Sequence, residues 1–389
     1  METVSGIRAK AIWVVRGLVA VLFVAIWAAQ ASIMTGAVSL GLFWAVMVLG
    51  VYITYRILDV ADLTVEASIT LGASIAARMI TAGASPVLAT LAALGLGLLA
   101  GLVTGVLHTK LRIPALLAGI LTMTGLYSVN LLIMDRPNIP LLPFKVDSVF
   151  TPLVNLGLST DVAALIVGAA VCVVVAAALY WFFGTEIGSA IRATGNNPSM
   201  VRAQGVNTST MIILGLMISN GLVGLAGALI AQYQTFSDIS MGIGSIVIGL
   251  ASLIIGEVLF GTRSFKSTIL SVILGAVIDR VILAAVINLG LPANNLKLFV
   301  ALTVTVALAL PVFRDYGRTL VRSLRRPGSG EELWRRTPAV PAVAAPPGGA
   351  PAAPAASPGG APAASTAASG DARATATDGA ASKDDRGGD

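Results

Sequence analysis

The sequence predicts an all-α membrane protein with about ten transmembrane helices, and three observations support this fold class. Hydrophobic residues make up 56% of the 389 residues and charged residues only 11%, roughly half the charge of a typical soluble domain. About ten apolar stretches each have the length needed to cross a bilayer. Lys and Arg residues cluster in alternate connections between these stretches, as they do in multi-pass membrane proteins.

The spans are predicted near residues 13–33, 38–57, 61–80, 86–107, 115–134, 162–183, 211–232, 243–261, 267–288 and 296–313. With ten crossings, most basic residues fall on one side, which places both termini in the cytoplasm. The residues on that side are Arg8, Lys10, Arg56, Lys110, Arg112, Arg192, Arg202, Arg263, Lys266, Arg314, Arg318, Arg322, Arg325 and Arg326. The opposite loops carry Arg136, Lys145 and Lys297. Removing one middle span would put half of the basic loops outside, so ten spans are favoured over nine or eleven.

Three regions are predicted along the chain. Residues 1–35 contain an extra hydrophobic helix with Arg16 near its start, which is a true span, an N-terminal extension or an uncleaved signal-like segment. Residues 36–326 form the transmembrane domain. Residues 327–389 are rich in Ala, Pro and Gly and cannot bury enough apolar surface to fold, so we expect a disordered cytoplasmic tail. A dispensable extension is favoured over a tether for this tail.

Several function classes lack the residues that they require. Cys172 is the single cysteine and His108 the single histidine, so neither a disulfide framework nor a Cys/His metal site is expected. The net charge of +6 reflects orientation signals rather than a nucleic-acid partner. Residues 261–267 superficially resemble a phosphate-binding loop, but Phe265 replaces the second glycine. We therefore expect no cofactor in this chain, and any ATP is bound and hydrolysed by another subunit.

The polar insert 184–207 is the most informative segment of the sequence. Gly195 is expected to end one short helix, Asn197 to cap a second that starts with Pro198, and Gly205 to supply a left-handed end. The side chains predicted to be exposed on these two helices are Arg192, Arg202 and Gln204. Two interpretations are open: a connecting loop with an interfacial helix, or a segment presented to a cytoplasmic partner.

A weak internal repeat relates residues 60–72 to residues 236–249. The match pairs Asp62 with Asp238 and Thr64 with Ser240. The third and eighth spans would then be equivalent elements of opposite orientation, as expected for a five-plus-five inverted repeat with a pathway at its interface. Because the match is short and needs one gap, chance similarity is the alternative.

Polar residues inside apolar spans are the candidates for a substrate pathway because they are costly in hydrocarbon. The candidates are Glu66, Thr122, Asn130, Asn220 and Gln232. Glu66 is the sharpest candidate; the alternative is that it lies near the headgroups or pairs with a neighbour such as Arg56. Small residues repeat every four positions in the fourth and seventh spans, for example Gly97, Gly101, Gly224 and Ala228, and predict close helix packing.

Several segments together resemble the inner-membrane permease family of bacterial ABC importers that includes the branched-chain amino acid and ribose permeases. They are residues 52–66, 105–114, 117–125, 136–140, 190–198, 202–206, 232–244 and 249–257. The last two are most similar to a subgroup of tryptophan/tyrosine or amino-acid permeases. The resemblance covers roughly residues 36–313, and the hydrophobic segment before it and the long tail after it depart from the usual pattern.

The resemblance implies a permease homodimer, two ABC ATPase subunits on the cytoplasmic face and an extracytoplasmic substrate-binding protein. It identifies 184–207 as the coupling segment. The residues expected to carry ATPase coupling are Arg192, Asn197, Pro198, Arg202 and Gly205. The predicted function is therefore the permease subunit of an ATP-driven importer in the bacterial inner membrane, with an amino acid, including an aromatic one, as substrate. A stand-alone secondary transporter or channel is the alternative, followed by an intramembrane enzyme.

Overall fold

The computed structural model describes residues 31–141 and 147–288, together with the isolated positions 298 and 305. Most of the predicted spans at 13–33 and 296–313, and the whole tail 327–389, lie outside the described residues. The helices are α1 (Ala31–Tyr52), α2 (Thr64–Thr81), α3 (Pro86–Thr109), α4 (Ala115–Met134), α5 (Thr151–Asn155), α6 (Thr160–Gly184), α7 (Glu186–Asn196), α8 (Pro198–Ala203), α9 (Thr208–Gln234), α10 (Ser245–Phe260) and α11 (Phe265–Asn288). The strands are β1 (Asn138–Pro140) and β2 (Phe236–Asp238).

Six helices of the described region are long and apolar enough to cross a membrane. They are α3, α4, α6, α9, α11 and α1 with the π-helical turn Ile53–Ile57 that continues it. The all-α membrane class is therefore confirmed. The third and eighth predicted spans correspond to α2 and α10, which are not among the six: α2 is more polar, and α10 has only 16 residues. At 1.5 Å per residue α10 rises about 24 Å, less than the hydrocarbon core of roughly 30 Å.

Helix α9 lies at the centre of the described bundle and packs against α1, α2 and α3. On the other side α1 packs against α6 and α11, and α10 packs against α11. The small residues predicted to allow close packing do so, because a Cβ added at Gly97 or Gly101 would collide with the carbonyl groups of Asn220 and Leu216. Gly256 of α10 and Gly275 of α11 approach each other in the same way.

The chain after α9 turns back into the bundle before α10 begins. β2 pairs antiparallel with β1 at the end of α9. Ile239 then packs on the cluster around Ile80, near the C-terminal end of α2, whereas Gly242 presses against the carbonyl of Glu66 in its first turn. Residues 239–242 therefore pack along α2, and α10 begins beside the first turns of that helix.

Candidate functional site

The segment 184–207 has the two caps that its sequence predicts. Asn197 Oδ1 accepts a hydrogen bond from the amide of Met200 at 3.0 Å, with Pro198 at the first helical position of α8. Gly205 has φ +86°, and its amide donates to the carbonyl of Arg202 at 2.9 Å. This left-handed end satisfies carbonyl groups that α8 would otherwise leave unpaired. Helix α7 ends at Asn196, one residue after Gly195.

The two arginines of the segment differ in exposure. Arg202 is exposed, and its Nε donates to Thr208 Oγ1 at the start of α9 at 2.8 Å. Arg192, predicted to be exposed, is half-buried instead: its Nη2 donates to the carbonyl of Phe183 at 2.7 Å, and its guanidinium lies over the ring of Phe265. The long side chain folds back onto the membrane helices because α6 ends with an unpaired carbonyl beside it.

Gly195, which was expected to end a helix, allows α7 to pack closely against the backbone of Ile57. A Cβ at Gly195 would collide with the carbonyl of Ile57, and it would also lie close to Leu58. The side chain of Leu58 in turn lies against Gly215 of α9. The segment 184–207 is thus packed directly on the connection between α1 and α2, six residues before α2 begins.

A buried polar network surrounds Asn220, one of the predicted pathway residues. Asn220 Nδ2 donates to Asp62 Oδ2 at 2.7 Å, and Asn220 Oδ1 accepts from Ser68 Oγ at 2.7 Å. Asp62 Oδ1 also accepts from the amide of Thr64 at 2.9 Å. The side chains of Asp62, Ser68 and Asn220 are all buried. The network joins the start of α2 to the middle of α9, and both polar groups of the Asn220 side chain are paired within it.

Two further predicted pathway residues also have structural partners. Gln232 Nε2 donates to Thr90 Oγ1 at 2.9 Å, and its Oε1 accepts from the amide of Val149 at 3.0 Å, so it joins α9 to α3 and to the segment before α5. Thr122 Oγ1 donates to the carbonyl of Ala118 within its own helix at 3.0 Å. Both side chains are buried among packed helices.

Glu66 occupies a different environment, at the junction where α2 meets the start of α10. It is the one residue between Thr64 and Ala77 that is not buried. Glu66 Oε1 accepts a hydrogen bond from the amide of Gly244, the residue that caps α10, at 3.0 Å. This carboxylate therefore faces the positive end of the α10 dipole. The alternative pairing of Glu66 with Arg56 is wrong: Arg56 Nε lies 3.3 Å from Glu257 Oε1.

Two polar atoms beside this junction have no hydrogen-bond partner among the residues that the structure describes. Asn130 Nδ2 donates to the carbonyl of Ala67 at 3.2 Å, but its Oδ1 is buried and unpaired. The hydroxyl of Ser245, the residue after Gly244, is also buried and unpaired. Unpaired buried polar atoms are rare in proteins and often mark a functional role or a bound water. The junction therefore holds unused hydrogen-bonding capacity.

The two segments of the internal repeat share a local conformation. The amide of Thr64 donates to Asp62 Oδ1, and the amide of Ser240 donates to Asp238 Oδ1 at 2.8 Å. Each Asp side chain thus forms the same turn where the chain enters the bundle. Hydrogen bonds from Ser240 and from the Asn138 side chain hold the pKa of the Asp238 carboxyl below its usual range, despite slight burial.

Sequence reasoning missed three members of these sites: Asp62 as the partner of Asn220, Glu257 as the partner of Arg56, and Ser245 at the junction. The sequence does place Asp62 at a repeat position, so the repeat was the signal that could have assigned it. Glu257 and Ser245 acquire their surroundings only when α10 packs on α1 and α2.

Taken together, the bundle of helices long enough to cross a membrane, the short α10 and the half-buried Glu66 carboxylate define a multi-pass membrane protein with features of a transporter. The profile of the family described as "Branched-chain amino acid transport system / permease component" matches residues 32–309. The chain belongs to this family, and it is a multi-pass protein of the inner membrane.

Curated relatives agree with the family. The chain is 43% identical to a "Tyrosine transport system permease protein" of Clostridioides difficile, over 71% of this chain and 91% of that protein. It is 33% identical to "Uncharacterized protein RP368" of Rickettsia prowazekii, over 72% of this chain and 97% of that protein. It is 31% identical to the "Autoinducer 2 import system permease protein LsrC" of Escherichia coli, over 64% of this chain and 69% of that protein. No solved structure matches the chain.

Proposed function

We propose that the chain is the permease subunit of an ATP-driven, binding-protein-dependent importer of an amino acid, with an aromatic amino acid as the first substrate to test. The observation that carries the proposal is the relative named as a tyrosine transport permease, which aligns over 91% of its own length. The family is described as the permease component of a transport system, which supports the presence of separate subunits for energy supply and substrate delivery. A separate ABC ATPase subunit would supply the energy, and an extracytoplasmic binding protein would deliver the substrate.

The proposed architecture is a five-plus-five inverted repeat of ten spans, used as a homodimer. Helix packing supports it: α3 packs on α9 as α11 packs on α1, and α2 packs on α3 as α10 packs on α11. In this correspondence α1, α2 and α3 of the first half match α9, α10 and α11 of the second. The shared turns at Asp62 and Asp238 agree with the same pairing.

The proposed pathway passes the junction of α2 and α10. These helices occupy equivalent positions in the two halves, and they are the two predicted crossings that are unusually polar or short. Short or interrupted segments at matching positions of a repeat point to the binding region of a transporter. A carboxylate in the membrane interior that is not buried by its own chain is costly unless it faces water or a second subunit. Glu66 therefore faces the pathway, where it can attract the ammonium group of an amino acid.

The proposed coupling runs from 184–207 to this junction by direct contact. ATP binding would close the ATPase dimer and draw the two coupling segments together. Movement of α7 displaces Ile57 and Leu58, because Gly195 is packed against their backbone. The chain from Leu58 leads within six residues to the start of α2 and then to Glu66. Arg202, exposed on α8, is the charged residue best placed to meet the ATPase.

Reconstitution into proteoliposomes tests the proposal. The chain would be combined with the ATPase and the binding protein encoded by neighbouring genes, and uptake of radiolabelled tyrosine and other amino acids would be measured. We expect uptake that requires ATP and all three components. Uptake driven by an ion gradient without the ATPase would overturn the importer and support a stand-alone transporter.

A further inference from the structure

A cleft of about 460 Å³ lies where α6 ends, α7 begins and α11 begins. Its walls include the aromatic rings of Tyr180, Trp181, Phe183 and Phe265. Because α6 and α11 both cross the membrane, the cleft lies at the boundary between hydrocarbon and water. Tryptophan and tyrosine side chains are enriched at that depth, since their rings are apolar and their polar groups remain hydrated.

Two cations lie over aromatic rings of the cleft walls, and neither forms an ion pair within the part of the chain that the structure describes. The guanidinium of Arg192 lines it, 5.4 Å from the centroid of the Phe265 ring. Arg192 Nε is buried and has no hydrogen-bond partner within the described ranges. The ammonium of Lys266 lies over the Tyr180 ring at 4.7 Å from its centroid. The cleft thus offers two positive charges and an unused donor against apolar walls.

The opening of the cleft continues the exposed apolar face of α6. Val173 and Val174 are 68% and 66% exposed, and Trp181, two turns further along the helix, is 73% exposed. In a membrane-spanning helix such a face contacts lipid chains. A molecule that fills the cleft therefore has its apolar part along α6 and its anionic part beside Arg192 and Lys266.

We propose that this cleft binds an anionic phospholipid, with the phosphate between Arg192 and Lys266 and the acyl chains along α6. Basic pockets between membrane helices are suited to lipid phosphates, and each cation near the membrane surface adds roughly 1 kcal/mol of attraction. The bound lipid joins the coupling segment to the membrane helices, because Arg192 belongs to α7. Arg192 is then a lipid contact, distinct from Arg202. The proposal holds whether or not the chain works with an ATPase.

The test measures lipid affinity of the full chain purified in detergent. Binding of fluorescent phosphatidylglycerol would be compared with phosphatidylcholine for wild type, Lys266→Gln and Arg192→Gln. Lys266 makes no hydrogen bond among the described contacts, so its removal leaves the fold intact even if Arg192→Gln disturbs the end of α6. The matched control is Arg263→Gln, which removes a positive charge from an exposed residue of the loop just before α11.

We expect preferential binding of phosphatidylglycerol by wild type, a loss of roughly fivefold in affinity for each cation removed, and no change in Arg263→Gln. Equal affinity for the two lipids, or equal losses in Lys266→Gln and Arg263→Gln, would overturn the proposal. Competition by glycerol phosphate at the same concentration as the lipid would assign the cleft to a soluble phosphate instead.

Discussion

The network around Asn220 and the junction at Glu66 are both polar, both lie within the membrane-embedded bundle, and both involve the first turns of α2. They differ in how their hydrogen-bonding groups are used. At Asn220 the carboxyl, amide and hydroxyl groups pair with one another and are fully enclosed. At the junction Glu66 is only half-buried, and the Ser245 hydroxyl and the Asn130 carbonyl oxygen have no partner in the described part of the chain.

This difference assigns the Asn220 network to the stability of the fold and the Glu66 junction to transport. A polar group in a membrane needs partners, and a group whose partners are all internal has no capacity left for a substrate. Polarity, which the sequence shows, therefore makes both sites equally good candidates for the substrate pathway. Unused hydrogen-bonding capacity, which requires the structure, favours the junction.

The largest expected effect follows from Asn220→Leu. The change removes the partner of the buried Asp62 carboxyl and of the Ser68 hydroxyl, so we expect a loss of about 3 kcal/mol in the free energy of unfolding. Little monodisperse protein should remain after purification, and its thermal midpoint should fall. Thr124→Val is the control, because Thr124 is exposed and bonds only to its own helix. Equal midpoints for the two variants would show that the network is not structural.

Glu66→Gln should have the opposite profile. Glutamine keeps an acceptor for the Gly244 amide, so the yield and thermal midpoint should stay at wild-type values. Loss of the charged contact should reduce the rate of ATP-dependent uptake by at least about tenfold. Uptake at the wild-type rate would remove Glu66 from the pathway.

Gly205→Val tests the proposed coupling role of 184–207, and its expected effect is smaller. The left-handed conformation at Gly205 costs a non-glycine residue roughly 1–2 kcal/mol, so the end of α8 should rearrange. We expect weaker co-purification with the ATPase and slow uptake, with membrane insertion retained. Gly157→Val is the matched control, since Gly157 has φ +91° and precedes α6, outside the coupling segment. If both variants retain the ATPase, α8 is not the docking element.

The smallest effect is expected from truncation after Arg326. The removed residues have a composition that cannot form a core, so insertion, assembly and uptake should remain near wild type. The measurement is uptake per assembled complex. Loss of assembly in this variant would give the tail a binding role.

The sequence predicts local structure better than it predicts contacts between distant segments. Both caps of α8 follow from Asn197, Pro198 and Gly205, because these residues act through their own backbone. The helix class and six crossings follow from the length of the apolar runs. The anchoring of the start of α10 does not follow, because Gly242 packs against the Glu66 carbonyl, which lies in a distant part of the chain.

The directions of the arginine side chains could not be predicted from the sequence either. Arg192 and Arg202 look alike as exposed cations, yet Arg192 turns back to the end of α6 and Arg202 stays exposed. Glu66 was the acidic residue suggested as a partner of Arg56, and only the packing of α10 on α1 brings Glu257 to Arg56 instead. Each of these outcomes depends on which carbonyl or carboxylate lies within reach after the helices have packed.

Cysteine accessibility tests the distinction between the two sites most directly. Cys172 is the single cysteine, so Cys172→Ala gives a background in which Glu66→Cys and Ser68→Cys can be compared. The two positions lie half a turn apart on α2, and Ser68 is fully buried in the Asn220 network. We expect an impermeant thiosulfonate reagent to modify Glu66→Cys, at a rate that changes when the ATPase binds ATP, and to leave Ser68→Cys unmodified. Faster modification of Ser68→Cys, or no modification of Glu66→Cys in either state, would contradict a pathway at the junction.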